Sequence, residues 1–262
     1  MSIIKGGAAG FNSVVFYSEN FKSKAIRKKD GKINIELSKR KITPNFEKLI
    51  LRIPLIRGVF IFVKPVIVMW KFYLIVYLLL LFLLLSSGEA SESASDSSML
   101  STLLIMANLI FNHFWLLIAA ILSIFAIIIK LSNLGKYHGA EHMTDASFNS
   151  LSSLAISDVV KQSRIHNHCG TNFVVFLFVT YFIFSFFFSH FVVLIVLSIC
   201  LGYEVFHIQS RILAPFYWVG GFFQYFLFTS KPSTEHLEVA IASYEAVIRA
   251  ERDYKKVSFQ KN

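Results

Sequence analysis

Cysteine is nearly missing from this chain, two in 262 residues, which excludes a disulfide framework. Acidic residues are scarce at the start. Residues 1–71 hold four Asp or Glu against fifteen Lys or Arg. No recognisable nucleic-acid-binding fold accompanies that charge, which argues against nucleic acid as a partner. Beside apolar spans, such an excess instead reads as the positive-inside signal and as attraction to anionic lipid. Met1 to Lys5 opens no apolar core with a cleavage site, so no signal peptide is expected and the first span is expected to direct insertion. Few charges lie inside the apolar runs and no inverted repeat is visible, which weighs against a transporter.

What is abundant is apolar surface. Hydrophobic residues make up 55% of the chain and aromatics 16%; Phe alone occurs 28 times, and the mean hydropathy is +0.59. A helix needs about 20 apolar residues to cross the hydrocarbon layer, and several runs supply them. The expected fold is therefore a mainly α, polytopic membrane protein with about four transmembrane helices. A small β-rich cytoplasmic piece precedes them and an amphipathic helix follows.

Residues 1–45 read as the β-rich piece, with Val14–Tyr17 as a short β-prone run. Asp30-Gly31 lies between Ala25–Arg27 and Ile33–Leu37 and predicts a tight hairpin. Within residues 46–129, a basic segment from Phe46 to Lys64 carries Leu49, Ile53, Ile56 and Phe60 at helical spacing, interrupted by Pro54, and is expected to lie in the headgroup region. A first span over Pro65–Leu85, an acidic Ser-rich outer loop over Ser86–Ser98 and a second span over Phe114–Ile129 follow, the last after an interfacial stretch from Met99 towards Asn112-His113. Residues 130–172 form a polar cytoplasmic segment. In residues 173–228 two further spans reverse near Ser189-His190, and Ala214–Phe228 is short enough to be re-entrant or interfacial. The tail, residues 229–262, places Leu237, Ile241, Tyr244 and Ile248 on one helical stripe.

The chemistry concentrates in the polar segment. His138 and His142 are four apart, with Glu141 between them on nearly the same side of a helix. Two imidazoles at this spacing can ligate one metal, and the carboxylate can take a proton from a bound water. Gly139 inside the motif costs about 1 kcal/mol of helix stability relative to Ala. A second cluster, His166-Asn167-His168-Cys169, directly precedes a span. His166 and Cys169 would complete a tetrahedral site if the two clusters meet. Glu204, an ionisable residue within an apolar run, is a further candidate, since its burial in lipid is costly unless it is paired or functional. The bland alternative is that these are ordinary interfacial groups, with Cys169 packing beneath the span and Glu204 paired with Arg211 or sitting at the membrane surface. Cys200, inside an apolar run, reads as a packing residue.

These blocks resemble the YqhQ family, bacterial multi-pass membrane proteins of unknown function regarded as metal-dependent enzymes. The strings that carry the resemblance are Tyr137-His-Gly-Ala-Glu-His142, Ser163-Arg-Ile-His166 with Cys169-Gly-Thr171, Gly202-Tyr-Glu204, and Pro232 with Leu237-Glu-Val-Ala-Ile241. Gly6-Gly7, the Asp30-Gly31 hairpin and Leu55-Ile-Arg-Gly-Val59 are similar to the family's opening. The family's Glu and Met pair after its Gly-rich start are replaced here by Ala8 to Val14, Asn167-His168 stands for a Pro-Arg pair, Met143 for a Lys, and Asn133-Leu134 for a basic pair. The ligand residues thus survive while their surroundings change.

The expectation that follows is a cell-membrane metal protein with both termini cytoplasmic. His138, His142, His166 and Cys169 would hold a divalent ion, with zinc best suited to mixed nitrogen and sulfur ligands. Glu141 would serve as the base of a hydrolase acting on a membrane-proximal peptide or lipid bond, or would support the ligands from behind. The alternative is a non-enzymatic factor that binds another membrane protein in insertion, translocation or quality control and keeps the metal as a structural staple.

Overall fold

The computed structural model describes residues 3–41, 44–89 and 114–259. The acidic Ser-rich loop and the interfacial stretch before the second span lie almost wholly outside them. Four strands, β1 (Gly6–Ala9), β2 (Ser13–Tyr17), β3 (Phe21–Arg27) and β4 (Ile33–Lys39), pair antiparallel in sequence order. The expected hairpin is the β3–β4 pair. Gly31 takes φ 84°, which its missing Cβ permits, and the Asp30 carboxylate accepts from the Lys32 N–H at 3.1 Å.

The sheet extends beyond that hairpin and packs into a core. Val14, Phe16, Ser23 and Ala25 share one face and are buried beneath the C-terminal helix, α10 (Thr234–Phe259). All four residues of the predicted stripe, Leu237, Ile241, Tyr244 and Ile248, lie in this core. Phe16 meets Tyr244 edge-on at 4.7 Å between ring centroids. Glu251, also buried, accepts from the Ser18 hydroxyl at 2.8 Å and from the Asn20 side chain at 2.8 Å. The first and last segments of the chain therefore pack as one unit.

Two short helices, α1 (Asn45–Ile50) and α2 (Ile56–Val68), divide the predicted basic segment at Pro54, as proline's missing donor requires. Phe46 and Leu49 on α1 are exposed. The first predicted span is not one straight helix. The chain bends by 65° at Met69 between α2 and α3 (Trp70–Glu89). A second bend, of 69°, separates α4 (Phe114–Leu131) from α5 (Asn133–Leu151) at Ser132.

Helices α7 (Gly170–Ser185) and α8 (Phe191–Ile208) turn back on each other at the predicted reversal. Between α5 and α7 sits the one-turn α6 (Ile156–Val159). After α8 come a 3₁₀ turn at Arg211–Leu213, α9 (Ala214–Phe223) and a π-helical turn, Gln224–Phe228. Among the described residues, α8 alone is long and apolar enough to cross a membrane unaided. The two bent pairs raise the number to three if each is one span, and α7 is apolar but shorter. The described helices thus give one clear span and up to three.

Candidate metal centre

Helix α5 brings the polar segment under the sheet. His138, Glu141, His142 and Asp145 recur at three- and four-residue spacing and so share a face. Gly139 has a structural reason to be small: a Cβ there would stand 2.4 Å from the Ser230 carbonyl oxygen, so any side chain would push the segment after the π turn away from the helix. The helix penalty noted from the sequence is the cost of this close approach.

His138, His142 and Cys169 offer one ligand atom each, and all three atoms lie within 4.8 Å of one another. Their orientation is fixed from behind. His138 donates through Nδ1 to the Phe228 carbonyl at 3.0 Å, and His142 through Nδ1 to the Arg164 carbonyl at 2.7 Å. These bonds select the tautomer that leaves each Nε2 lone pair free, the arrangement a metal-binding histidine requires. Burial holds the pKa of both rings below the ordinary value, that of His142 far below, so neutral imidazole is favoured. Cys169 is the N-cap residue of α7, and its Sγ is 3.6 Å from His138 Nε2. Burial raises its thiol pKa, against which the Thr171 hydrogen bonds act. A cation would reverse that preference, because a coordinating thiol loses its proton.

The Glu141 carboxylate stands beside this group, 4.0 Å from His138 Nε2 and 3.9 Å from His142 Nε2. Burial, with the nearby Asp145 adding to it, pushes its pKa up to about 8. It is seated against strand β1: a Cβ on Gly7 would lie 2.3 Å from Glu141 Oε1. Trio, carboxylate and strand line a cavity of about 670 Å³ whose wall also includes Ile129, Phe206 and Phe228.

His166 comes to the cavity but not to the three-atom group. Its Nε2 is 3.1 Å from Asp145 Oδ2, and its Nδ1 accepts the His168 N–H at 3.3 Å. Asp145 also accepts the Tyr244 hydroxyl at 3.0 Å, linking the site to α10. Glu204 lies elsewhere. It forms a bidentate pair with Arg57 and accepts the Leu55 N–H at 2.9 Å, so its partner is Arg57 and not Arg211. That pair ties α2 to α8, and Leu55 holds φ 67° there, a conformation few bulky residues adopt.

Three positioning residues have no place in the sequence reading of the site. Gln224, fully buried in the π turn, accepts the His166 N–H at 2.8 Å and donates to its carbonyl at 3.1 Å. Asn172, also fully buried, donates to the same carbonyl at 3.1 Å and to that of Asn167 at 2.9 Å. Asp145 lies one turn beyond His142 on the ligand face. An amide inside an apolar run and a carboxylate seven residues after His138 were the available signals.

A family model described as a protein of unknown function (DUF1385) matches residues 66–250. No curated protein and no solved structure matches the chain.

Proposed function

The chain belongs to the DUF1385 family, and we propose that it is an integral membrane zinc hydrolase acting on a substrate close to the cytoplasmic membrane surface. The observation that carries this reading is the group of His138, His142 and Cys169, one ligand atom from each within 4.8 Å, with both histidines held from behind through Nδ1. Three protein ligands that open on a cavity suit a catalytic zinc, which keeps a position for water or substrate. Such an ion supplies Lewis acidity and lowers the pKa of bound water. Glu141 would take the proton that such a water releases and would deliver it to the leaving group.

Four spans with both termini inside accord with the charge distribution, and the resemblance to YqhQ membrane proteins points the same way. The bilayer is then the first partner, met by exposed Phe46 and Leu49, with Lys48 and Arg52 beside them. The rival is a factor that binds another membrane protein and keeps a structural zinc. A closed site of that kind needs a fourth ligand, and His166 would have to leave Asp145 to provide it.

The test pairs metal analysis with activity for full-length protein in detergent. Wild type should carry one zinc per chain. Glu141→Gln should keep the zinc and lose hydrolysis by about a hundredfold or more, as for removal of a general base. Wild type purified without stoichiometric metal overturns the proposal. Full complementation in cells by a zinc-loaded Glu141→Gln variant would leave the structural role in its place.

A further inference from the structure

Strand β1 is an edge of the sheet, since β2 is its sole strand partner among the described residues. The strand borders the cavity that holds the metal trio: Ile4, Lys5, Gly6, Gly7, Ala8 and Ala9 all line it, with Phe16 of β2 on the inner face of the sheet. Edge strands are usually blunted by charge, bulk or covering elements. Here Gly-Gly-Ala-Ala carries neither charge nor bulk, although α5 packs against the strand and Gly7 and Ala9 are half-buried.

The phase of the ladder shows which groups are free. Gly10 donates to the Ser13 carbonyl at 2.8 Å, and Gly6 and Ala8 stand opposite Tyr17 and Val15. Bonded and non-bonded pairs alternate in an antiparallel ladder, so Gly7 and Ala9 turn their N–H and C=O groups outward. Gly7 is also the residue against which Glu141 is seated. A strand added at this edge would run about 4.8 Å from β1, alongside the residue whose inner face meets that carboxylate.

Resting on the hydrolase reading and narrowing it, we infer that the substrate is an extended peptide that adds to the free edge of β1 as a further strand, with its scissile amide over His138, His142 and Cys169. Main-chain pairing supplies affinity in such strand addition, and pockets read alternate side chains. Ile129, Phe206 and Phe228 give the cavity an apolar wall where apolar helices end, which suits a segment just outside the bilayer. Lipid headgroups fit less well, because Lys5 is the one Lys or Arg on the wall. In the reaction, water adds to the amide carbonyl carbon, the C–N bond breaks, and the proton released through Glu141 ends on the departing amine.

The test uses zinc-loaded full-length protein and a randomised decapeptide pool, with a short-chain phosphatidylglycerol as the competing ester probe. The best-cleaved decapeptide is then N-methylated at one amide at a time, and its binding to zinc-loaded Glu141→Gln is read by fluorescence anisotropy. Strand addition predicts that methylation weakens binding about tenfold at every second amide and little between, since one hydrogen bond is worth about that factor. Ala9→Pro removes an outward N–H without touching the β1–β2 ladder, and should raise KM about tenfold with zinc content unchanged. An N-methyl profile without period two, or ester cleavage without peptide cleavage, overturns the inference and leaves the zinc hydrolase standing. Bound zinc with neither substrate cleaved, or no zinc at all, removes the reading beneath it as well.

Discussion

At the scale of single residues, the outcome turns on which lone pairs are free. His138 and His142 were legible because four-residue spacing on a helix fixes a shared face whatever the fold. Cys169 was legible as a residue type, and its arrival beside His138 depends on where α7 begins. His166 offered the same sequence signal, yet its Nε2 faces Asp145 and its Nδ1 accepts the His168 N–H. A spacing rule has no access to such partners. His166→Ala should therefore retain bound zinc, whereas His138→Ala should lose it, as metal analysis of the two purified variants will show. The adjoining strand gives a second prediction. Gly7→Ala places a methyl 2.3 Å from Glu141 Oε1, so the carboxylate must shift. Thermal unfolding should show a loss of about 1–3 kcal/mol, with hydrolysis falling while zinc stays bound.

At the scale of elements, the periodic signals held where packing followed them and failed where helices bend. The C-terminal stripe and the reversal before α8 were readable from apolar spacing. The breaks at Met69 and Ser132 were not, because continuous hydropathy does not report a 65° or 69° change of direction. Nor did the sequence show why α5 tolerates Gly139, since the reason is the Ser230 carbonyl ninety-one residues away. Gly139→Ala improves intrinsic helix propensity by about 1 kcal/mol, yet it should destabilise the protein. The contact at 2.4 Å outweighs the propensity, and a lowered melting temperature is the expected readout. The π turn has a comparable role: through Gln224 and Phe228 it holds His166 and His138 together. Local π geometry of this kind is common at functional sites.

For the whole molecule, the sheet and α10 form a cap over the polar face of α5, and the apolar helices lie beyond the cavity. This union of the two ends of the chain was not legible, since burial of Phe16 by Tyr244 is a contact between residues that carry no mutual sequence signal. Glu251 secures it and gives it a pH dependence. Burial raises its pKa, but hydrogen bonds from Ser18 and Asn20 outweigh that and hold it below the ordinary value. A carboxylate depressed in the folded state stabilises fully above its unfolded pKa of about 4.3, and that contribution is lost as pH falls through the folded value. Glu251→Gln should thus lower stability at neutral pH by about 1–2 kcal/mol. The gap to wild type should narrow under acid in denaturant titrations.

The proposed hydrolase depends on a zinc ion held by two imidazoles and one thiolate, with a position left open. X-ray absorption at the zinc edge on purified full-length protein tests it most directly. Two nitrogen scatterers from His138 and His142 are expected at about 2.0–2.1 Å, with one sulfur from Cys169 at about 2.3 Å and one further light atom from water. The sulfur should vanish in Cys169→Ser. A shell without sulfur, or three imidazoles with a thiolate and no exchangeable ligand, would contradict it.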